Sequence, residues 1–524
     1  LGHSSSRRLR AIDPLFEIEL DLGPKGSRES SRTLHRELKA AILDGRLTAG
    51  ARLPATRKSA AFFGVSRNTA AEVYDRLVNE GHAVTRHGAG TYVANRMPSV
   101  PRAKGAAARE TAAQETAAHR VNEFWLRPDV TAAMSFWRDR PEYPASGRKG
   151  ASIDFRPAMV DSRLFPMDVF RRVSAKQLRG LERKPASYKS PQGNQGNFYL
   201  REAIIKHIAI TRAVVCQADD ILVTSGAQQA FDVLARALVT PHETVVALED
   251  PGYPPMRVAF AAAGAKLAPV GVDAEGLIVE QLPTDVGVIC VTPSHQFPLG
   301  ITMSMRRRKA LVQFARRHGA VIVEDDYDGE FRYEGSPLEA LRTSQASEVV
   351  FYVGTFSKCM LSALRLGFIV APPWAMRTLI AAKNCLDWHC STPIQSAVAE
   401  FIGAGHLTRH VRKMRDIYKR RRQLLHESLQ DRLGDWLEPI PSFYGMHVAA
   451  TLTASVDLER VADELLEHSV KIHTLSRYFL GPQSRAGLVF GYGTVDLPDI
   501  RRGMSALRGV LQRRAALASS KRTV

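Results

Sequence analysis

Apolar residues recur along this chain in two regimes. Between Arg32 and Ala94 the spacing is helical. The stretch "LHRELKAAILDGRL" places Leu34, Leu38, Ala41 and Ile42 on one helical face, and Asp44-Gly45 ends it. "ATRKSAAFFGVSRNTAAEVYDRLVNEG" then reads as two helices about the tight turn "FGVS". Ser66 is placed to cap the second, Ala70, Val73, Leu77 and Val78 form its inner face, and Gly81 ends it. "HAVTRHGAGTYVA" follows as two short strands flanking a glycine-rich tip. From about Gly150 onward, short Val/Ile-rich runs alternate with longer amphipathic stretches. "DILVTSG", "ETVVALED", "VGVICVTP", "AVIVEDDY" and "VVFYVGTFS" are the strands this predicts, in an α/β domain with a mainly parallel central sheet wrapped by helices.

Between the two regimes the composition changes. "PSVPRAKGAAARETAAQETAAHR" is rich in Ala, Pro and charge, which predicts a partly helical linker. Its continuation "FWLRPDVTAAMSFW" carries aromatics and is expected to dock on a neighbouring domain. The expected organisation is a small helical unit closing in a hairpin over 28–96, a linker over 97–149 and a large domain over 150–524. Residues 1–27 read as polar and irregular, and the opening "LGHSSS", without Met, reads as a remnant ahead of the native chain.

The formal net charge of +19 points to polyanionic partners, nucleic acid first. Residues 1–96 hold 16 Lys and Arg against 10 Asp and Glu, so most of the surplus lies further on. The five cysteines are odd in number and form no CxxC pair. Neither a disulfide framework nor a cysteine zinc site is expected, which fits a cytoplasmic setting. No apolar run reaches 18 residues, and no membrane association is expected.

The predicted order of helices, turn and wing suits double-stranded DNA. The second helix of such a pair enters the major groove with its N-terminal residues at the base edges. Here those residues are Ser66, Arg67, Asn68 and Thr69, while Arg57 and Lys58 open the preceding helix where phosphates would lie. The stretch from Arg32 to about Ala94 resembles the GntR-type winged-helix DNA-binding domain, with "GRLTAGARLP", "GVSRNTAAEVYDRL" and "GAGTYV" matching in order. The resemblance implies DNA contacts from Arg57, Arg67, Asn68, Thr69 and the tip Gly88 to Gly90. The Ser that usually precedes the first arginine is absent, and Thr56 is expected to cap instead.

The large domain raises a different chemistry. "GTFSKCMLSALRLGF" sets Lys358 among small and hydroxylated residues. A lysine amine kept neutral can form a Schiff base with an aldehyde, most often pyridoxal 5′-phosphate. That cofactor also needs a phosphate cradle, an acid at its ring nitrogen and a flanking aromatic. "LVTSGAQQAF" offers Ser225, Gly226 and Ala227 at a strand-to-helix turn, and Thr355, Ser357 and Arg365 stand near the lysine. Asp325, 33 residues before Lys358, closes a hydrophobic strand, with Tyr327 beside it for the ring hydroxyl and Tyr253 for stacking. Glu324, Asp326, Asp328 and Glu330 invite a metal reading, but consecutive acids on a strand point different ways, so no metal is expected.

The order "SYKSPQGNQGNFYLREAI", "VTSGAQQA", "LEDPGYP", "TPSHQFPLG", "EDDYDGEF", "GTFSKCMLSALRLG" resembles the fold-type I aminotransferases over about 350 residues. Joined to a GntR-type domain, it looks like the MocR/GabR family of transcriptional regulators. The resemblance implies that Lys358 carries pyridoxal phosphate, that Asp325 pairs with its ring nitrogen, and that Ser225, Gly226, Ala227, Thr355, Ser357 and Arg365 hold its phosphate. It implies an amine or amino-acid effector, or the cofactor itself, sensed by exchange at Lys358, and a head-to-tail homodimer. Two features of working aminotransferases are missing. Phe297-Pro298-Leu299-Gly300 stands where an Asn-Pro-x-Gly element is usual, and Leu488 or Val489 where a carboxylate-binding arginine is usual, leaving Arg477 as the nearest substitute. The expected function is a regulator with little or no turnover, the alternative an active aminotransferase with an auxiliary DNA-binding domain.

Overall fold

A computed structural model of the protein describes residues 28–86, 88–94, 122–134, 153–183, 193–334, 338–343 and 345–520. The predictions for residues 1–27 and for most of the linker lie outside these. The chain forms two compact units, Leu1–Val121 and Asn122–Val524.

In the first unit, α1 (Arg28–Leu43), α2 (Thr56–Phe63) and α3 (Arg67–Asn79) precede a hairpin of β1 (Ala83–Arg86) and β2 (Gly90–Val93). The predicted inner faces are the observed ones. Leu34, Leu38, Ile42, Val73 and Leu77 form one buried cluster with Leu53 and Val93, and Tyr74 joins them. Tyr74 also ties α3 to the loop before α2, its hydroxyl donating to the Pro54 carbonyl at 3.0 Å. Ser66 caps α3 as expected, accepting from the Thr69 amide at 3.0 Å. Thr56 does not cap α2. It is the first helical residue, and Ala55 occupies the cap position without a side-chain bond.

The second unit is built on an eight-stranded sheet in the order β4-β11-β10-β9-β8-β5-β6-β7. Its strands are β4 (Ile221–Thr224), β5 (Val245–Asp250), β6 (Lys266–Asp273), β7 (Gly276–Leu277), β8 (Val286–Val291), β9 (Val321–Asp326), β10 (Val350–Thr355) and β11 (Gly367–Val370). The run from β10 through β9, β8 and β5 to β6 is parallel. The expected parallel sheet is therefore present, but β11, unpredicted, pairs antiparallel with both β10 and β4, and β7 antiparallel with β6. Alternation sorts the strands' side chains to two faces. Val246, Val288, Val323 and Val353 meet the helices Ala227–Leu238, Pro254–Ala262 and Pro373–Asn384. Ala247, Ile289 and Ile322 meet Leu311 and Ala315 of the helix Met305–His318. Strands buried on both faces read as continuous Val/Ile runs, as these do.

A smaller antiparallel sheet follows, in the order β12-β13-β16-β15, with β12 (Leu437–Pro439), β13 (His447–Leu452), β15 (His473–Thr474) and β16 (Gly487–Gly491), while β3 (Ile153–Asp154) and β14 (Val470–Lys471) pair parallel with each other. The helix Pro128–Met134, from the segment expected to dock, packs on the large unit, with Val130 and Ala133 against Val258. Leu77 is fully buried at the centre of the first unit. Leu77→Ala is expected to destabilise that unit by about 2–5 kcal/mol. Hydrogen exchange of the α3 amides in the full chain would accelerate, while exchange in the eight-stranded sheet would not.

Candidate functional site

In the large unit a cavity of about 480 Å³ opens at the carboxyl ends of the central strands. The pairing of β9 with β10 sets Asp325 opposite Val353 and brings the end of β9 beside the turn that carries Lys358. Asp325 lines the cavity and is 4% exposed. Its Oδ1 has no hydrogen-bond partner. Burial first, then the neighbouring Asp326 and Asp328, push its carboxyl well above the usual range. Such a group ionises readily only when a cation is brought to it.

Lys358 lines the same cavity, and its Nζ donates to the Ala158 carbonyl at 2.6 Å. Burial pulls its amine down from 10.5 to about 8, against the opposing pull of Asp328 and Asp325. The amine is thus far easier to deprotonate than a solvated lysine.

The strand-to-helix turn after β4 behaves as a cradle. Gly226 has φ +84°, and a Cβ there would lie 3.0 Å from Arg365 Nη2. Arg365 Nη2 donates to the Ser225 carbonyl at 3.3 Å. Ala227 and Gln228, at the N-terminus of the helix Ala227–Leu238, line the cavity with Thr355, Ser357 and Arg365. The helix start and the guanidinium together favour an anion. Ser225 is engaged elsewhere: its amide donates to Gln229 Oε1 at 2.7 Å and its hydroxyl to Asp387 Oδ2 at 3.2 Å.

Tyr253 lines the cavity and meets Phe297 edge-on, with ring centroids 5.4 Å apart. Phe297 lines it too, an apolar ring where an Asn would offer an amide. Tyr327 also lines it, with its hydroxyl 2.9 Å from His295 Nδ1 and 3.0 Å from the His295 carbonyl. Arg477 sits on the turn Leu475–Tyr478, half-buried, and is not among the residues lining the cavity. The acids near Asp325 do diverge. Glu324 accepts from the Leu341 and Arg342 amides, Asp326 pairs with Arg212, and Glu330 lies 3.3 Å from His207.

Sequence reasoning missed part of the wall: Ala133 and Met134, Ala158 to Val160, Pro255 and Ser362. The aromatic and apolar composition of the segment before Met134 was the one available signal.

In the first unit Arg57, Lys58, Ser66, Arg67 and Asn68 are all exposed, and Thr69 is half-buried. Arg67 and Asn68 open α3 with side chains that meet no hydrogen-bond partner among the described residues, whereas Ser66 and Thr69 bond each other across the cap at 2.8 Å. The wing turns through Gly88 and Gly90, both exposed and both at positive φ. Arg52, unpredicted, lies along the tip, its Nε 3.3 Å from where a Gly90 Cβ would be. Arg86 stacks over Tyr92 at 4.6 Å.

Residues 30–93 match the family "Bacterial regulatory proteins, gntR family", and residues 165–485 match "Aminotransferase class I and II". The probable rhizopine catabolism regulatory protein MocR of Rhizobium meliloti is 33% identical over 478 residues, 91% of this chain and 92% of that protein. The HTH-type pyridoxine biosynthesis transcriptional regulator PdxR of Corynebacterium glutamicum is 28% identical over 487 residues, 93% of this chain and 97% of that protein. The kynurenine aminotransferase of Pyrococcus horikoshii superposes with a TM-score of 0.64 at 25% identity, covering 70% of this chain and 92% of that structure. A gntR-type DNA-binding domain and an aminotransferase class I and II domain thus lie in one chain that matches regulators of the same composition along nearly its whole length, and the chain belongs to the MocR-type family of transcriptional regulators.

Proposed function

We propose that the large unit binds pyridoxal 5′-phosphate and senses either that cofactor or an amine or amino-acid effector at Lys358, and that the winged helix converts the outcome into operator binding. The observation that carries this reading is one cavity with an easily deprotonated lysine and an unpartnered buried carboxyl at its floor, and a helix N-terminus with Arg365 at its cradle. When bound, the cofactor supplies an aldehyde that condenses with amines and a pyridine ring that withdraws electrons.

The chain's own residues fit that group in three ways. Asp325, costly to ionise alone, becomes favourable as the partner of a protonated ring nitrogen. Arg365, Thr355, Ser357 and the backbone of Ala227 line the cavity and offer an anion charge, hydroxyls and an amide, with Gly226 lying beside the Arg365 guanidinium. Tyr253 and Phe297 supply apolar ring surface, and Tyr327 a hydroxyl fixed by His295. Phe297 in the wall and Arg477 outside it support binding without efficient transamination.

The domain assignment accompanying this reading is 28–96 for DNA binding, 97–149 for the connection and 150–524 for effector sensing. Residues 122–134 are then the docked end of the connection. Since Ala133 and Met134 line the cavity, a ligand there touches the chain that leads back toward the winged helix. An effector acts through this contact to the extent that it binds one arrangement of the connection more tightly, typically by ~1–3 kcal/mol. A head-to-tail homodimer acting on cytoplasmic double-stranded DNA completes the proposal.

Added pyridoxal phosphate is expected to give full-length protein a visible absorption band, and borohydride to fix the pyridoxyl mass on Lys358. Lys358→Ala should lose both; a band and fixed mass that persist in that variant would place the linkage elsewhere. The rate of this fixation in cofactor-free protein should climb with pH, reach half its maximum near pH 8 and level off above that, because protonation of an amine with a pKa of about 8 withholds the nucleophile below that value. A rate still climbing steeply at pH 10 would assign the linkage to a solvated lysine.

For the winged helix, Arg67→Ala should weaken operator binding by about 1–3 kcal/mol at fixed salt. Arg57→Ala should weaken specific and nonspecific DNA alike and lower the salt slope by about one. Unchanged footprints for both variants would remove the starts of α2 and α3 from the interface.

A further inference from the structure

The large unit carries a second cluster of ligand-type side chains that the cofactor reading does not use. His295 lies on the loop after β8, Asp328 just beyond the end of β9, and His447 begins β13. Each is at most 2% exposed. One ligand atom from each of the three lies within 4.8 Å of those of the other two. His295 Nδ1 is 3.0 Å from Asp328 Oδ2, close to the roughly 3.3 Å that two ligands on one tetrahedral ion keep at bond lengths of about 2.0 Å.

Hydrogen bonding within the protein leaves this cluster incomplete. His447 Nε2 lies 3.0 Å from the Pro298 carbonyl, which can only accept, so Nε2 carries the proton and Nδ1 is a bare lone pair. A ring N–H held by a backbone carbonyl is the usual support of a metal-ligating histidine. His447 Nδ1 is enclosed and has no partner. Buried polar atoms are nearly always satisfied, so this lone pair, in a ring whose centroid lies 4.5 Å from that of His295, calls for a further group beside His295 Nδ1 and Asp328 Oδ2. A side chain at Gly445 could not supply it. A Cβ on Gly445 would fall 1.9 Å from His295 Cε1 and 2.5 Å from Asp328 Oδ2.

We propose that His295, Asp328 and His447 form a buried site for a first-row divalent transition metal, zinc by the chemistry of two imidazoles and one carboxylate. The ion joins three segments that are far apart in sequence: the loop after β8, the end of β9 and the first residue of β13. It therefore braces the central sheet against the smaller sheet. Tyr327 keeps the His295 carbonyl as its acceptor at 3.0 Å, so the ion also fixes the loop that holds this cavity residue. The proposal stands independently of the cofactor reading.

Full-length protein produced in zinc-supplemented medium and passed over a chelating resin is expected to retain about one zinc per chain by plasma mass spectrometry. X-ray absorption at the zinc edge should show nitrogen and oxygen ligands only, with the scattering of two imidazoles. His447→Gln and Asp328→Asn should each lower the retained metal at least tenfold in protein that still binds DNA. Should these variants fail to fold, the wild-type stoichiometry and absorption spectrum decide alone. Folded wild type holding less than a tenth of an equivalent would overturn the proposal and leave a hydrogen-bonded His–Asp cluster with internal water. Sulfur ligation, or undiminished zinc in folded His447→Gln, would overturn it equally.

Discussion

A carboxyl group without a hydrogen-bond partner for one oxygen is expensive to bury, and the large unit buries one at the floor of its cavity. Asp325 can be there because the strand that carries it next to its last residue is buried on both faces and cannot swing it out to water. The parallel pairing of β9 with β10 then puts Lys358 on the adjacent turn, and the same low dielectric that raises the acid lowers the amine. One environment thus moves both groups toward their neutral forms. An arrangement with a neutral acid beside an easily deprotonated amine is costly as a resting structure and favourable once a cationic ring and an aldehyde are supplied. The rest of the cavity follows from it, since only a charged cradle at the other end can hold an anionic ligand in the orientation that meets both.

That cradle depends on strand order. β11 lies between β4 and β10 and runs antiparallel to both. It carries the chain from Lys358 past Arg365 and back alongside the turn at Gly226, so a lysine and an arginine seven residues apart reach the two ends of one site. Arg365 itself sits at positive φ, exposed, with its guanidinium over Gly226. A larger residue at 226 would push that guanidinium away, which gives this glycine a reason beyond its own backbone angle.

Much of this was legible beforehand, for identifiable reasons. The strands β4, β5, β8, β9 and β10 stood out because double burial makes them unbroken Val/Ile runs, and their carboxyl ends carried the chemistry. The helix faces of the winged unit were set by 3.6-residue spacing, and Leu34, Leu38, Val73 and Leu77 are the observed core. What could not be read was pairing across long separations. Four-residue β11 gives no periodicity to detect. Met134 and Ala158 enter the cavity wall from segments about 200 residues ahead of Lys358, and His295, Asp328 and His447 come together from three elements with no common spacing. The cap at α2 failed for a smaller reason: the helix starts one residue earlier than a Thr cap requires, so Thr56 lies inside it.

The two departures from the aminotransferase pattern acquire a physical meaning in the structure. In a working transaminase, polar groups must stabilise charge as it shifts over the cofactor and must hold the substrate's carboxylate in register. Here an apolar ring, Phe297, stands in the wall, and the nearest candidate arginine, Arg477, lies on a turn that does not reach it. Neither change touches Lys358, Asp325 or the cradle. Binding interactions made equally in the ground and transition states give affinity without rate. On the proposed function, this cavity reports occupancy rather than turning substrate over, and Ala133 and Met134, which line it, are where the connection would register a ligand.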